Sequence, residues 1–350
     1  MKKQWFTCGT LLVISAAAPA QSSVTVFGVM DVSARYARNA SGSLATVASG
    51  GNATSRFGVR GEENLGGGLI AGFWLESTVL GDNGGAVFWE RRALASLAGP
   101  FGELRFGRDY TPAYRAFGAS DPFGYLGVGA LANGFNARST TAIARAFGTN
   151  PTTVTRSNNS LQYLTPGGLN GFYSHVMIAP SEGSTGADGA YKNLGGRAGY
   201  AAGALDFSVY AETTKIAATG ANFKQVGAAG FYNFGALKLS ASVTRSEYLT
   251  SQHKNFLIGA IYSLGNSQFK ASYSKVKQQG KNAAGASIDA DGANAYALGY
   301  VYNLSKRTAL YGTAARMVNS GKASYTVLGV PAGPTTSPSS AFELGIRHNF

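Results

Sequence analysis

Leu237-Lys238-Leu239-Ser240-Ala241-Ser242-Val243-Thr244 interleaves an apolar and a polar set of residues without a break. A period of two puts each set on its own face of a β-strand, because successive side chains point to opposite sides. The pattern returns in Leu205, Phe207, Val209 and Ala211, which alternate with Asp206, Ser208, Tyr210 and Glu212. Phe269, Ala271 and Tyr273 alternate with Lys270, Ser272 and Ser274. Tyr296, Leu298, Tyr300 and Tyr302 alternate with Ala297, Gly299, Val301 and Asn303. The chain is therefore all-β, with an apolar face and a polar one.

Composition says what lies against each face. Charged residues make up only 13% of the 350, aromatics reach 12%, and glycine occurs 48 times. Mean hydropathy is nevertheless −0.03. A membrane helix needs about 20 consecutive apolar residues, and no stretch after the N-terminal segment supplies them. A closed antiparallel transmembrane β-barrel reconciles these facts, since only alternate residues of each strand meet lipid. Closure is a physical need, because a sheet edge in lipid leaves backbone groups unpaired. A soluble β-sandwich or propeller is the competing architecture. It would show a core buried on both sides or repeats of fixed period, whereas here one strand face is polar, as a watery lumen requires.

The connections carry a second rhythm. Short links fall at Leu65–Gly68, Gly99–Gly102, Thr165–Gly168, Ala201–Gly203, Phe234-Gly235, Leu264–Asn266 and Asn303–Lys306. Between them sit longer stretches: Arg38–Thr54, Thr78–Val87, Tyr110–Ser157, Pro180–Tyr191, Thr214–Asn222, Ser246–Gln252, Val276–Ala293 and Val318–Ser340. Short turns at one rim and long loops at the other predict about sixteen strands in hairpins.

At the N-terminus, Met1-Lys2-Lys3, the apolar run Leu11–Ile14 and Ala18-Pro19-Ala20 read as a secretory signal peptide, residues 1–20, cleaved after Ala20. The remainder, residues 21–350, reads as one barrel domain. Cleavage removes Cys8, so the exported chain carries no disulfide framework. It also removes two lysines, taking the net charge from 30 − 17 = +13 to 28 − 17 = +11. A basic balance suits nucleic acid, anionic surfaces or anionic solutes, and export argues against nucleic acid. At the other end Phe342, Leu344, Ile346, His348 and Phe350 share a face, so the terminal Phe350 reads as an interfacial anchor.

Tyr110–Ser157 is the longest connection and shows no alternation. It holds Pro112, the turn Asp121-Pro122-Phe123-Gly124 and the arginines Arg115, Arg138, Arg145 and Arg156. Loops this long are usually functional or disordered, and a plain surface insertion is the bland alternative.

Several motifs, in order along the chain, resemble the outer-membrane porins of beta-proteobacteria. Ser23-Val24-Thr25-Val26-Phe27-Gly28-Val29-Met30-Asp31 is similar to their first strand, and the run from Ser55 through Arg60-Gly61-Glu62-Glu63-Asn64 to Gly68 resembles their second strand and turn. Phe101–Pro112 resembles the entry to their pore loop, and Leu304–Thr308 and Arg347-His348-Asn349-Phe350 their late turn and C-terminus. The resemblance implies a sixteen-stranded barrel with its third long loop folded into the lumen, both termini periplasmic. It implies a homotrimer among outer-membrane lipid and lipopolysaccharide, and recognition of Phe350 by the barrel-assembly machinery. It implies a water-filled pore for small anionic and neutral solutes, with no cofactor and no metal.

Strand parity assigns the pore wall. Phe57 and Val59 outward put Arg56 and Arg60 in the lumen; Leu94 outward puts Arg91 inward and Arg92 outward, at the rim or a subunit interface. Phe73 and Leu75 outward put Glu76 inward, and Leu104 and Phe106 outward put Arg105 and Asp109 inward. Arg56, Arg91 and Arg156 match the three arginines of the anion-selective porins, and Asp121 resembles the acid at the loop tip. The expected constriction is Arg56, Arg91 and Arg156 on a basic wall facing Glu76, Asp109 and Asp121. With four arginines and one carboxylate, Asp121, between Tyr110 and Ser157, the expected selectivity is for anions. Other readings are a substrate-specific channel, an adhesin or an outer-membrane enzyme. For the last, His175, His253 and His348 follow no nucleophile pattern, and they read as rim or wall residues.

Overall fold

A computed structural model describes residues 23–135, 141–148, 154–180, 191–331 and 336–350. The expected signal peptide with Cys8, and Arg138 of the long loop, lie outside the described residues.

Seventeen strand segments form one antiparallel sheet. The first six are β1 (Ser23–Asn39), β2 (Gly42–Ser49), β3 (Arg56–Gly66), β4 (Leu69–Val79), β5 (Ala86–Gly99) and β6 (Gly102–Tyr110). After the long loop come β7 (Arg156–Leu164), β8 (Phe172–Ala179), β9 (Lys192–Ala202), β10 (Leu205–Lys215), β11 (Asn222–Asn233) and β12 (Leu237–Tyr248). The circuit ends with β13 (Ser251–Leu264), β14 (Ser267–Gly280), β15 (Gly292–Asn303), β16 (Thr308–Ser320) and β17 (Ser339–Asn349).

Seventeen segments make sixteen wall positions because β2 and β3 share one. Ser23–Val29 of β1 pairs with β3, and Val32–Asn39 with β2. The break between them is organised by Asp31. Its buried carboxylate accepts the amides of Gly51 (3.1 Å), Asn52 (3.1 Å) and Ala53 (2.6 Å), drawing that segment out of the ladder. The barrel closes where β1 pairs with β17, from Val29 opposite Asn349 to Arg38 opposite Ser340. Gly28 and Phe350 then exchange two backbone hydrogen bonds, of 3.0 and 3.1 Å. No free sheet edge faces lipid at this seam, as backbone satisfaction in a bilayer demands.

The two faces are inverted relative to a soluble protein. Val209, Val243, Ile258, Leu298 and Leu344 are exposed on the outside, whereas Ser208, Thr244, Asn255, Thr313 and Glu343 are buried inside. Phe342, Leu344, Ile346, His348 and Phe350 all lie on the outer face, Phe350 being 54% exposed.

Strands run further at the long-loop rim than hydropathy predicts. Ser246–Gln252, expected as a long connection, is only the turn Leu249-Thr250, because β12 continues to Tyr248 and β13 starts at Ser251. The Arg38–Thr54 connection contains the whole of β2, and His253, expected at a loop end, is buried within β13. For β12 and β13 the reason is the same. Above the lipid the outer face is polar too, so the alternation fades while the backbone ladder continues.

The third long loop carries three short helices that alternation does not reveal: α1 (Pro112–Ser120), α2 (Ala132–Phe135) and α3 (Ala142–Phe147). α1 begins where Thr111 caps it, its hydroxyl accepting the Tyr114 amide at 3.2 Å, with Pro112 in the first turn where a missing N–H is harmless. The loop is folded into the barrel. α1 packs on β8 to β12 and α3 on β11 to β13. Phe117, Leu131, Phe135 and Ile143 bury against Tyr210, Phe223, Tyr248 and Leu257 of the inner wall. Burying each large apolar side chain contributes about 1.5–3 kcal/mol, so this second core is what holds the loop down. Gly259 of β13 makes room for it, since a Cβ there would meet Pro122 at 2.3 Å. The loop tip reaches β17, where the Val128 amide donates to Glu343 Oε1 at 3.2 Å.

Candidate functional site

The in-folded loop packs on the inner wall from β8 to β16 and touches β17. The arginines collect on strands β3 to β7 and at the root of the loop.

Two carboxylates organise them. Glu76 of β4 accepts from Arg91 Nε at 2.5 Å and from Trp74 Nε1 at 3.0 Å, with Arg56 approaching to 3.9 Å. Asp109 of β6 takes three arginines. Arg92 grips it with two hydrogen bonds of 2.8 and 3.1 Å, Arg105 donates at 3.0 Å, and Arg115 of α1 donates at 2.8 Å. Arg105 is also held by Glu103, through two bonds of 2.8 Å. Five arginines thus engage three carboxylates, and Arg156 stands beside them.

Aromatic rings fill the spaces between. The Tyr110 ring lies 4.8 Å from the Arg156 guanidinium and 4.9 Å from the Tyr114 ring, and its hydroxyl accepts from Arg91 at 2.9 Å. Arg156 donates through Nε to the Arg91 carbonyl at 3.0 Å. Through Tyr114 and Arg115 the loop is fastened to the arginine wall at its root.

Of the residues picked from sequence, Arg56, Arg91, Arg156, Glu76 and Asp109 come together in this cluster. Asp121 does not. Its carboxylate accepts the amides of Phe123 (2.9 Å), Tyr125 (3.0 Å) and Leu131 (2.7 Å), so it shapes the loop from within rather than facing the arginines. Burial raises its carboxyl above the ordinary Asp range, against the pull of those three amides.

Arg92 corrects the parity assignment. Leu94 lies opposite Trp74 and Arg92 opposite Glu76, and residues directly opposite on antiparallel strands share a face. Trp74 and Glu76 face the lumen, so Leu94 and Arg92 do too. Arg91 arrives there as well because the ladder breaks. Between the pairs Glu76–Arg92 and Thr78–Val87, β4 advances two residues (76 to 78) and β5 five (87 to 92), with Trp89 at φ +53°. Such a bulge re-aims side chains, and it brings both members of the Arg91-Arg92 pair inward.

Arg92, Arg105, Arg115, Tyr110 and Trp74 are members of the cluster that were not singled out as site residues. Arg105, placed inward by parity, and Arg115, one of the four arginines of the long loop, left a signal. The histidines lie elsewhere: His175 is buried beside Gln162 at 2.8 Å, His253 packs on Phe135, and His348 faces outward against Thr308. No group of metal-binding residues occurs among the described residues.

Residues 8–322 match a protein family described as Gram-negative porin. The chain is 35% identical to outer membrane porin protein 32 of Delftia acidovorans, over 97% of both chains. It superposes on an anion-selective porin from Comamonas acidovorans with a TM-score of 0.80 at 33% identity, covering 94% of this chain and all of the other. The Salmonella typhi porin OmpF shares the fold, with a TM-score of 0.65 at 16% identity.

Proposed function

The chain belongs to the Gram-negative porin family and resides in the outer membrane, and from this we propose that its arginine cluster is the throat of a passive, anion-preferring pore. The observation that carries the reading is the surplus of six arginines over three carboxylates on strands β3 to β7 and at the root of the loop. Arginine stays charged across the working pH range. Two unit charges about 4 Å apart interact by about 1 kcal/mol in water and about 4 kcal/mol at an effective permittivity near 20. A tenfold bias in ion population needs only about 1.4 kcal/mol, so a small surplus of arginine in a narrow passage suffices. The relative named as anion-selective supports the same sign.

Roles follow from the geometry. Arg56 is the arginine of the cluster most open to the lumen, with 32% of its side chain exposed, and it is the working cation. Arg91 and Arg156 extend the positive wall, while Glu76 and Asp109 hold the arginines in place. The chain reads as a channel without catalytic chemistry or cofactor, passing small hydrophilic anions and neutral solutes. Residues 1–20 act as the cleaved signal, the barrel assembles as a homotrimer, and Phe350 marks the closing strand for the assembly machinery. The deciding experiment is the reversal potential of the purified pore in a planar bilayer under a potassium chloride gradient. It should show chloride preferred, and cation preference would overturn the reading.

A further inference from the structure

We propose that Trp74 and Tyr110 are positioning residues that set the strength of anion preference, because their rings hold arginines side by side without cancelling their charge. The inference rests on the reading of the arginine cluster as the throat. A throat that prefers anions has to crowd like charges, and these repel. A carboxylate for every arginine would relieve the repulsion and erase the surplus. An aromatic ring does the first without the second, since its face is negative by its quadrupole while its net charge is zero.

The contacts follow that division. Trp74 stands directly opposite Arg60 of β3. Its ring centre lies 5.2 Å from the Arg60 guanidinium and 4.1 Å from that of Arg92. Three guanidinium groups approach the centre of the Tyr110 ring: Arg156 at 4.8 Å, Arg115 at 5.6 Å and Arg92 at 5.7 Å. All fall inside the roughly 6 Å over which a ring face attracts a cation. Arg60 and Arg156 show the division most plainly. Among the described residues no carboxylate lies within 4.0 Å of either. Both rest on rings instead, Arg60 being also 5.6 Å from the centre of Phe27.

The rings are themselves held. Trp74 Nε1 donates to Glu76 at 3.0 Å, which fixes the orientation of the indole, and Phe27 meets the indole edge-on at 5.3 Å. Gly58 gives Phe27 that place. It lies directly opposite on β3, and a Cβ there would come within 2.4 Å of the Phe27 ring. Tyr110 is braced by Tyr114 of α1, their ring centres 4.9 Å apart.

The test is the chloride-to-potassium permeability ratio in planar bilayers. Of the three tryptophans, Trp5 lies in the expected signal peptide, so W89F leaves Trp74 alone in the exported barrel. The W89F barrel is produced with ordinary, monofluorinated, difluorinated and trifluorinated tryptophan. Fluorine withdraws electron density from the ring face and leaves the shape of the indole nearly unchanged. The ratio should fall step by step, by about twofold over the series, and W74L should fall at least as far. Y110F, which loses the hydroxyl and retains the ring, should keep the ratio, and Y110L should lower it. A ratio flat across the fluorinated series makes Trp74 a space-filler and overturns the proposal, whatever W74L does. A lowered ratio in Y110F overturns it too, by giving the arginines to the hydroxyl. Should a leucine variant fail to insert, the fluorinated series and Y110F, which conserve shape, decide alone. Cation preference in the unsubstituted pore would instead sink the throat reading itself, so the two failures are told apart.

Discussion

Arg92 holds Asp109 through two hydrogen bonds, 2.8 and 3.1 Å long, both side chains being less than a tenth exposed. The same carboxylate accepts Arg105 of the wall and Arg115 of the in-folded loop. One aspartate thereby ties strands β5 and β6 to helix α1, and it sets the root of the loop against the arginine wall.

Replacing it should show in both stability and selectivity. D109N leaves Arg92, Arg105 and Arg115 without their shared charge, and breaking a buried pair typically costs about 3–5 kcal/mol. The urea midpoint of the refolded barrel in micelles should fall accordingly. Where the variant still conducts, its reversal potential should move toward stronger anion preference, because a negative charge has left the throat.

Arg56 should behave in the opposite way. Its side chain is 32% exposed and its nearest carboxylate oxygen is 3.9 Å away, so R56Q should change stability by less than about 1 kcal/mol. The chloride-to-potassium permeability ratio should nevertheless fall about two- to tenfold, the range one partly screened charge supplies. An unchanged ratio would remove Arg56 from the throat.

The loop tip offers a steric test. Gly127 has φ +67°, and a Cβ there would sit 2.3 Å from Glu343 Oε1 and 2.4 Å from the Gly51 carbonyl oxygen. G127A should cost more than about 1 kcal/mol of docking and lift the tip from β17, which single-channel recordings would register as larger, noisier openings. Gly124 has φ +63°, but a Cβ added there would meet nothing within 4 Å. G124A should therefore disturb the recordings less.

Ionic strength should weaken the selectivity. The Debye length shrinks from about 10 Å at 0.1 M to about 3 Å at 1 M, so arginines acting through water lose reach. The permeability ratio measured at equal concentration gradients should fall steadily over that range. A ratio independent of salt would point instead to direct binding of each ion.

Much of this was legible in the chain. The strict alternation of Leu237–Thr244 determines a strand with one apolar face, and its recurrence with low charge and high glycine determines a membrane barrel. The run Ser55–Gly68 and the closing Arg347–Phe350 carried the family resemblance. Period two also placed Glu76, Arg105 and Asp109 on the lumen side, because β4 and β6 keep their own alternation where the partner strand carries the extra residue.

The tertiary structure decided what alternation cannot carry. Parity fails at Leu94, an apolar residue that faces the lumen and takes Arg92 inward with it, and the bulge between Val87 and Arg92 then turns Arg91 inward as well. Hydropathy also fades above the lipid, so the extra length of β12, β13 and β14 became visible only through backbone pairing. Asp121 reads as a pore-facing acid until the amides of Phe123, Tyr125 and Leu131 are seen to fold around it. Local sequence determined which residues face lipid wherever the apolar and polar sets alternate strictly, because that depends on the two-residue period alone. Which charges meet across the lumen depends on contacts between residues far apart in the chain, and only the closed barrel with its loop packed inside brings them together.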